Sequence, residues 1–418
     1  MNNILKNIKS CRVCNNPIER FMNFGDMPIA NNLIEDKSNS ALDGEFKYDM
    51  EVAFCKKCAC FQVTNVPNKN LMFNNSYAYF ASESKAMINH FHNLSQEIIT
   101  KYLTGSGDYI LEIGCNDGIL LKNFSDQAIP HLGIDASLNL VEKAKKDGIN
   151  VKCAFFDDIS ADEIENEFGK AKVIVLTNTM HHIENCNAVA KAISLLLSED
   201  GTLIIEDPYL VDMIELGSFE QIYAEHNFIW CLSSYSYLFE MYGIHINDVK
   251  HFDEHGGSMR YYFSKKSTLK SKKVIFYENL EQENKIKDLN TYINFKDKSE
   301  EICSNLFKFI SDKVSKGFTV CGYGATAKSC TILNYAKINN NLLTCIYDST
   351  SFKLNKLTPG THIPIRDAKF IKDDKPDFTI LFAWNHKNEI LKKEKLTKTT
   401  WIEYIPEVKV INKIRITT

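Results

Sequence analysis

The sequence predicts an α/β protein built on two parallel, doubly wound sheets preceded by a small cysteine-rich module. Three observations carry this. Short apolar runs ending in acids alternate with helical spacing from about residue 109 to 208. The same strand, glycine turn and helix recur from Gly317 to Lys328, followed by a strand, Leu343 to Asp348, that again ends in an acid. Two Cys-x-x-Cys knuckles stand in the first seventy residues.

The 418 residues allow two or three domains at roughly 100–200 residues each. Forty-nine Lys and Arg against 53 Asp and Glu leave a net charge of −4, which argues against a nucleic-acid backbone or an anionic membrane as partner. No window approaches the ~18 unbroken apolar residues of a bilayer span, and Met1 to Ser10 lacks the apolar core of a signal peptide. The expectation is a cytoplasmic enzyme with a small polar substrate, working as a monomer or small homo-oligomer.

Cys11-x-x-Cys14 and Cys55-x-x-Cys58, with 40 residues between them, suit tetrahedral zinc, because four thiolates fill its coordination sphere and leave no open position. Such a site is structural. Asn23 to Gly44 is rich in Asn, Asp and small residues and promises little core, so metal would supply folding free energy that burial does not. Cys60 competes as a ligand, but the x-x spacing favours Cys58. The other nine of the thirteen cysteines read as reduced thiols.

Tyr109-Ile-Leu-Glu-Ile-Gly-Cys-Asn-Asp-Gly118 reads as a buried strand entering a glycine turn, after which Ile119 to Phe124 opens a helix. His131 to Asp135 is a second strand whose terminal acid is placed to accept hydrogen bonds from a ribose diol. A third strand ends at Phe155-Phe-Asp157-Asp158. A fourth, Lys172 to Thr177, runs into Asn178-Thr-Met-His181-His182, and a fifth, Gly201 to Glu206, into Asp207-Pro208. Ligands collect at such carboxyl strand ends.

Glu220-Gln-Ile-Tyr223-Ala-Glu225-His226 follows the fifth strand. Tyr223 and His226 at i, i+3 share a helix face, and a neighbouring carboxylate, Glu225, orients or holds the imidazole in its reactive tautomer. Glu254-His255-Gly256-Gly257-Ser258-Met259-Arg260 sets an arginine on a strand beside a bend, and Ser76-Tyr77-Ala-Tyr79-Phe80 offers an aromatic lid. Residues 266–315 read as one long charged helix or two. Gly322-x-Gly324-x-x-Ala327, with Asp348 some twenty residues on, satisfies the relaxed dinucleotide fingerprint, which leaves open a NAD-dependent sugar oxidoreductase or a nucleotide-bearing substrate.

Glu112-x-Gly114-x-x-x-Gly118 departs from the NAD pattern and resembles motif I of the class I S-adenosylmethionine-dependent methyltransferases. The ordered blocks from Cys11/Cys14 through Glu112 to Gly118, Tyr223 to His226, Gly256 to Arg260, Gly322 to Lys328, Pro359 to Pro364 and Ala383-Trp-Asn-His386 cover nearly the whole chain. Together they resemble the sugar C-methyltransferases that act on nucleotide-linked 4-keto-deoxysugars.

That resemblance implies a zinc-binding module over residues 1–75, a class I methyltransferase Rossmann-like domain over 76–265, and a second, C-terminal Rossmann-like domain over 266–418 that binds substrate without NAD. It implies S-adenosyl-L-methionine held by Glu112, Gly114, Asn116, Gly118, Asp135, Asp157 and Asn178. His226 becomes the general base, with Tyr223, Glu225 and His182 around the reacting centre. The nucleotide sugar would touch Tyr77, Tyr79, Arg260, Gly324, Lys328 and His362. His181 stands where a small apolar residue is expected and Cys115 where serine is usual, departures that bear on specificity. Deprotonation next to the ketone followed by methyl transfer to carbon is the activity implied; O- or N-methylation of a sugar nucleotide or surface glycan precursor is the alternative.

Overall fold

The computed structural model describes residues 5–35, 38, 42–72, 80–253 and 256–411. Tyr77 and Tyr79 lie outside the described residues.

In the N-terminal part, strands Glu19–Pro28, Lys47–Phe54 and Phe61–Val63 form an antiparallel sheet whose fourth strand, Phe228–Ile229, comes from the middle of the chain. This corrects the expectation of a core-poor loop from Asn23. Phe21, Met22, Phe24 and Met27 are buried while Arg20, Asn23 and Asp26 are exposed. Register shifts between Arg20 and Met22 and between Asn23 and Gly25 break the two-residue period that would have revealed the strand.

The central sheet has seven strands. β1 (Ile110–Ile113), β2 (His131–Asp135), β3 (Val151–Cys153), β4 (Ala171–Thr177) and β5 (Leu197–Pro208) run parallel. β6 (His245–Phe252) and β7 (Ser258–Ser264) close one edge, with β7 antiparallel to both its neighbours. The order is β6-β7-β5-β4-β1-β2-β3, so the winding reverses between β4 and β1 and opens a crevice at their carboxyl ends. β1, β4 from Val173 and β5 from Leu203 are buried on both faces, so Ile110-Leu111, Val173 to Leu176 and Leu203 to Ile205 read as short apolar runs, with the acids Glu112 and Glu206 buried beside them. The helix expected from Ile119 is a turn leading into one short piece, Lys122–Ser125.

Two helices, Lys272–Glu283 and Leu289–Ser315, lead to the last sheet. Glu281 is buried and accepts from the backbone N–H groups of Leu232 and Ser233 at 2.6 and 2.9 Å, capping the helix Leu232–Glu240. Tyr292 on the longer helix stacks on Phe54 with ring centroids 4.0 Å apart, which joins that helix to the N-terminal sheet. The last sheet comprises β8 (Val320–Tyr323), β9 (Ile346–Asp348), β10 (Ile365–Asp367), β11 (Phe378–Leu381), β12 (Thr400–Glu403) and the antiparallel β13 (Lys409–Val410). Its order, β10-β9-β8-β11-β12-β13, reverses at β8. One apolar core runs from Cys11 to Ile405 through all three parts. Among the described residues no helix is long and apolar enough to cross a membrane.

Candidate active site

The two knuckles meet. Cys11 Sγ lies 3.5 Å from Cys58 Sγ and Cys14 Sγ 3.4 Å from Cys55 Sγ, and all four sulfurs fall within 4.8 Å of one another. Zn–S bonds of ~2.3 Å in a tetrahedron give S···S edges of about 3.8 Å, so the donor set fits a structural zinc ion with no open position. Each knuckle closes in the same way, on a residue of left-handed backbone: Asn15 (φ 58°) donates to the Cys11 carbonyl and Ala59 (φ 59°) to that of Cys55. Cys60 is buried alongside, with its sulfur 3.8 Å from the Phe61 carbonyl.

Arg12, inside the first knuckle, reaches out of the module. Its Nη1 donates to Asn227 Oδ1 at 2.9 Å, its Nη2 to the Asn227 carbonyl at 2.5 Å, and its guanidinium lies over the Phe228 ring at 4.0 Å. The metal module therefore grips the segment just after His226.

A cavity of about 930 Å³ opens at the crevice between β4 and β1. Its first wall is the β1 turn and the ends of β2 and β4. Gly114 has φ +73°, and a Cβ there would come within 2.4 Å of Thr179. Asn116 and Asn178 adopt φ 52°, which re-aims the chain at the ends of β1 and β4. Asp135 accepts from the backbone N–H groups of Asn116 and Ser137 at 2.9 and 2.8 Å, and burial raises its pKa. Glu112 is buried with Oε2 unpartnered in the protein, and burial holds it well above the usual carboxylate range. Asp157 caps the helix Asp158–Phe168 and also lines the cavity. Gly118 does not line it: a Cβ there would meet Ile149 at 2.2 Å, so this glycine serves packing.

The second wall holds three histidines. His181 and His182 sit in the turn Met180–His182 after β4, and His226 in the segment after the turn Phe219–Gln221. Tyr223 and His226 are not on a helix; a turn closed by the His226 N–H on the Tyr223 carbonyl at 2.9 Å sets their rings 3.8 Å apart. His226 Nδ1 meets the Gln221 carbonyl at 2.6 Å and His182 Nδ1 meets the Glu225 carbonyl at 2.9 Å. A carbonyl only accepts, so both rings carry the proton on Nδ1 and a lone pair on Nε2. The group that fixes His226 is thus the Gln221 backbone, while Glu225 accepts from Asn31 Nδ2 at 2.6 Å. Burial lowers the pKa of His182 to about 3 and holds His226 well below the ordinary 6.5, with the neighbouring histidines adding to both shifts.

The third wall belongs to the C-terminal sheet. Thr326, Ala327 and Lys328, after β8, line the cavity with Asn385 and His386. Burial lowers Lys328 to about 8 against the pull of Glu220. Gly324 (φ +93°) stands just behind, packed against Ala383. The Asp348 carboxylate accepts from the N–H groups of Ala325 and Thr350, both at 2.8 Å, bracing the β8 turn.

Two expected substrate residues lie elsewhere. Arg260 is 2% exposed on β7; its Nε donates to Glu206 Oε2 at 2.6 Å and its guanidinium lies over Phe252 at 4.5 Å. Burial raises Glu206, and Arg260 and His90 more than reverse this, bringing it to about 2. His362 (φ 55°) faces Glu45, Nε2 to Oε2 2.9 Å. Both side chains are spent on internal partners. Sequence reading missed Arg12, Asn31 and the Gln221 carbonyl, none of which has a local signal, since each acts through a contact made only in the folded chain.

Three family profiles match in chain order: a zinc binding domain over residues 11–73, a methyltransferase domain over 87–247 and a C-methyltransferase C-terminal domain over 253–406. The chain is 29% identical over 418 residues to the C-methyltransferase NovU of Streptomyces niveus, covering 99% of each protein. The chain is an S-adenosylmethionine-dependent methyltransferase, similar over its full length to a C-methyltransferase. The enzyme is also 28% identical over 118 residues to an uncharacterized methyltransferase of Schizosaccharomyces pombe, C70.08c, across 27% of this chain and 45% of that one. Among solved structures it is similar to the PH0226 protein of Pyrococcus horikoshii OT3, with 16% identity, 45% of this chain and 95% of that one covered, and a TM-score of 0.37. The first wall fits a ligand that carries hydrogen-bond donors or a positive charge: Glu112, with Oε2 unpartnered in the protein, and Asp135 both line the cavity.

Proposed function

We propose that the enzyme methylates the carbon next to the ketone of a nucleotide-activated keto-deoxysugar, with His226 as general base. The observation that carries this reading is the locked tautomer of His226: Nδ1 is held by the Gln221 carbonyl, so the basic Nε2 belongs to a buried ring on the cavity wall. A proton on carbon beside a ketone is acidic enough for an imidazole when the enolate oxygen meets a donor. Tyr223, whose ring lies 3.8 Å from that of His226 at a tilt of 35°, is that donor; neutral His182 presents an acceptor at Nε2 and so helps hold a hydroxyl or the tyrosine.

S-adenosylmethionine, held by Glu112, Gly114, Asn116, Asp135, Asp157 and Asn178, supplies an electrophilic methyl group on sulfonium. The chain's task is then to hold carbon and methyl roughly 3–3.5 Å apart in a dry pocket. Lys328 sits where the nucleotide's phosphates would enter from the C-terminal sheet. We read the chain as three domains, residues 1–75, 76–265 and 266–418, each giving one part of this pocket or its support. The setting is carbohydrate biosynthesis in the cytoplasm.

The test is product analysis with the methyl carbon of the cofactor labelled with carbon-13 and a nucleotide-linked 4-keto-deoxysugar as acceptor. The label couples to a ring carbon of the sugar by NMR. A label on oxygen or nitrogen contradicts the reading.

A further inference from the structure

The third histidine of the cavity has no part in the chemistry above. His181 is 2% exposed, and its ring lies 4.2 Å from that of His182 and 4.3 Å from that of His226, centroid to centroid. One ring nitrogen from each of the three falls within 4.8 Å of the others. All three residues line the cavity.

Each ring is also anchored from behind. His181 Nδ1 meets Asp207 Oδ1 at 2.5 Å, and Asp207 in turn accepts from the Tyr235 hydroxyl. His182 Nδ1 donates to the Glu225 carbonyl and His226 Nδ1 to that of Gln221. A carboxylate or carbonyl on the far nitrogen of each imidazole is how proteins fix histidines that bind metal, since it sets the tautomer, orients the ring and raises the basicity of Nε2. Three imidazoles with such support and a fourth position open to a cavity make the His₃ arrangement that borderline divalent ions favour.

We propose that His181, His182 and His226 form a site for a divalent transition-metal ion such as Zn²⁺, Co²⁺ or Ni²⁺, separate from the four-cysteine zinc. The ion takes Nε2 of all three rings and a water in the fourth position. Because that claims the lone pair of His226, metal occupancy and proton abstraction exclude each other; this last clause rests on the function proposed above.

The test uses the full chain with its cysteine site already filled with zinc, titrated with Co²⁺ alone. One further Co²⁺ binds per chain, with visible ligand-field bands and no sulfur-to-cobalt charge transfer. In His181→Asn, whose amide can keep the hydrogen bond to Asp207, Co²⁺ affinity falls by at least about tenfold with the zinc content unchanged. X-ray absorption of the wild-type cobalt protein shows imidazole scattering, which keeps the proposal testable if that variant does not fold. No Co²⁺ beyond the zinc content, a thiolate band, a spectrum without imidazole, or unchanged affinity in a folded His181→Asn overturns the site. Solvent exchange of the substrate's ketone-adjacent proton is suppressed while Co²⁺ is bound and returns on weak chelation. Exchange that persists with Co²⁺ bound overturns the exclusion, and exchange absent from metal-free enzyme counts against the general-base reading and not against the site.

Discussion

Arg12 and Asn227 are 215 residues apart in sequence, yet two nitrogens of the arginine donate to the side chain and carbonyl of the asparagine, at 2.9 and 2.5 Å. Arg12 stands between two zinc-ligating cysteines and Asn227 directly follows His226, whose neighbour in space, His182, accepts from Asn227 Nδ2 through its carbonyl at 2.8 Å. The strand Phe228–Ile229 then pairs with Phe61–Val63 of the metal module. The four-cysteine site is thus tied to the position of the segment that carries His226, the proposed general base.

Substituting Arg12→Lys keeps a positive charge but loses the planar fork that holds two acceptors. We expect zinc content and cofactor affinity to persist while kcat falls about 10²-fold, the loss typical of a reacting group displaced by about 1 Å. Steady-state kinetics alongside zinc analysis checks this; wild-type kcat would show that the clamp is incidental.

With His226 as the proposed general base, the pH profile follows from its surroundings. Burial first, then His181 and His182, hold its pKa below the ordinary 6.5. A lowered pKa means that protons compete for Nε2 only at lower pH, so the base stays active on acidification past the ordinary value. The acidic limb of kcat/KM is expected below pH 6.5. A limb at or above 6.5 would place the base in a more exposed setting than this one.

Gly114 tests the cofactor wall. Alanine there meets both a left-handed backbone (φ +73°) and Thr179 at 2.4 Å. Strain of ~1–2 kcal/mol weakens S-adenosylhomocysteine binding by about tenfold or more, measured by calorimetry. Asp135→Ala removes the acceptor for two backbone N–H groups and is expected to weaken it by a similar or larger factor.

Arg260 separates structure from substrate binding. Arg260→Met leaves the Glu206 carboxylate buried with one cationic partner removed, which costs about 3–5 kcal/mol of stability. The thermal midpoint drops and KM for the sugar nucleotide changes little in the protein that remains folded. A KM rise with no loss of stability would restore Arg260 to the substrate site.

Much of this was legible in the sequence, for identifiable reasons. Val173 to Leu176 and Leu203 to Ile205 are apolar because β4 and the second half of β5 are covered on both faces, and the spacing of Cys11/Cys14 and Cys55/Cys58 pairs thiolates as a tetrahedral metal site needs. The strand through Asn23 was hidden by two bulges that break its alternation. Arg260 and His362 looked like ligand-facing charges because composition cannot show that Glu206 and Glu45 wait opposite them. His181 stood out as a departure, but only folding shows it beside His182 and His226.

The central claim is that His226 removes a proton from carbon. Deuterium exchange at the carbon next to the ketone of a nucleotide-linked 4-keto-deoxysugar, followed by NMR in deuterated water without S-adenosylmethionine, tests it most directly. Wild-type enzyme is expected to exchange that position and His226→Ala to lose the exchange by about 10²-fold or more. Exchange at the same rate in His226→Ala, or none in the wild type, would contradict the account.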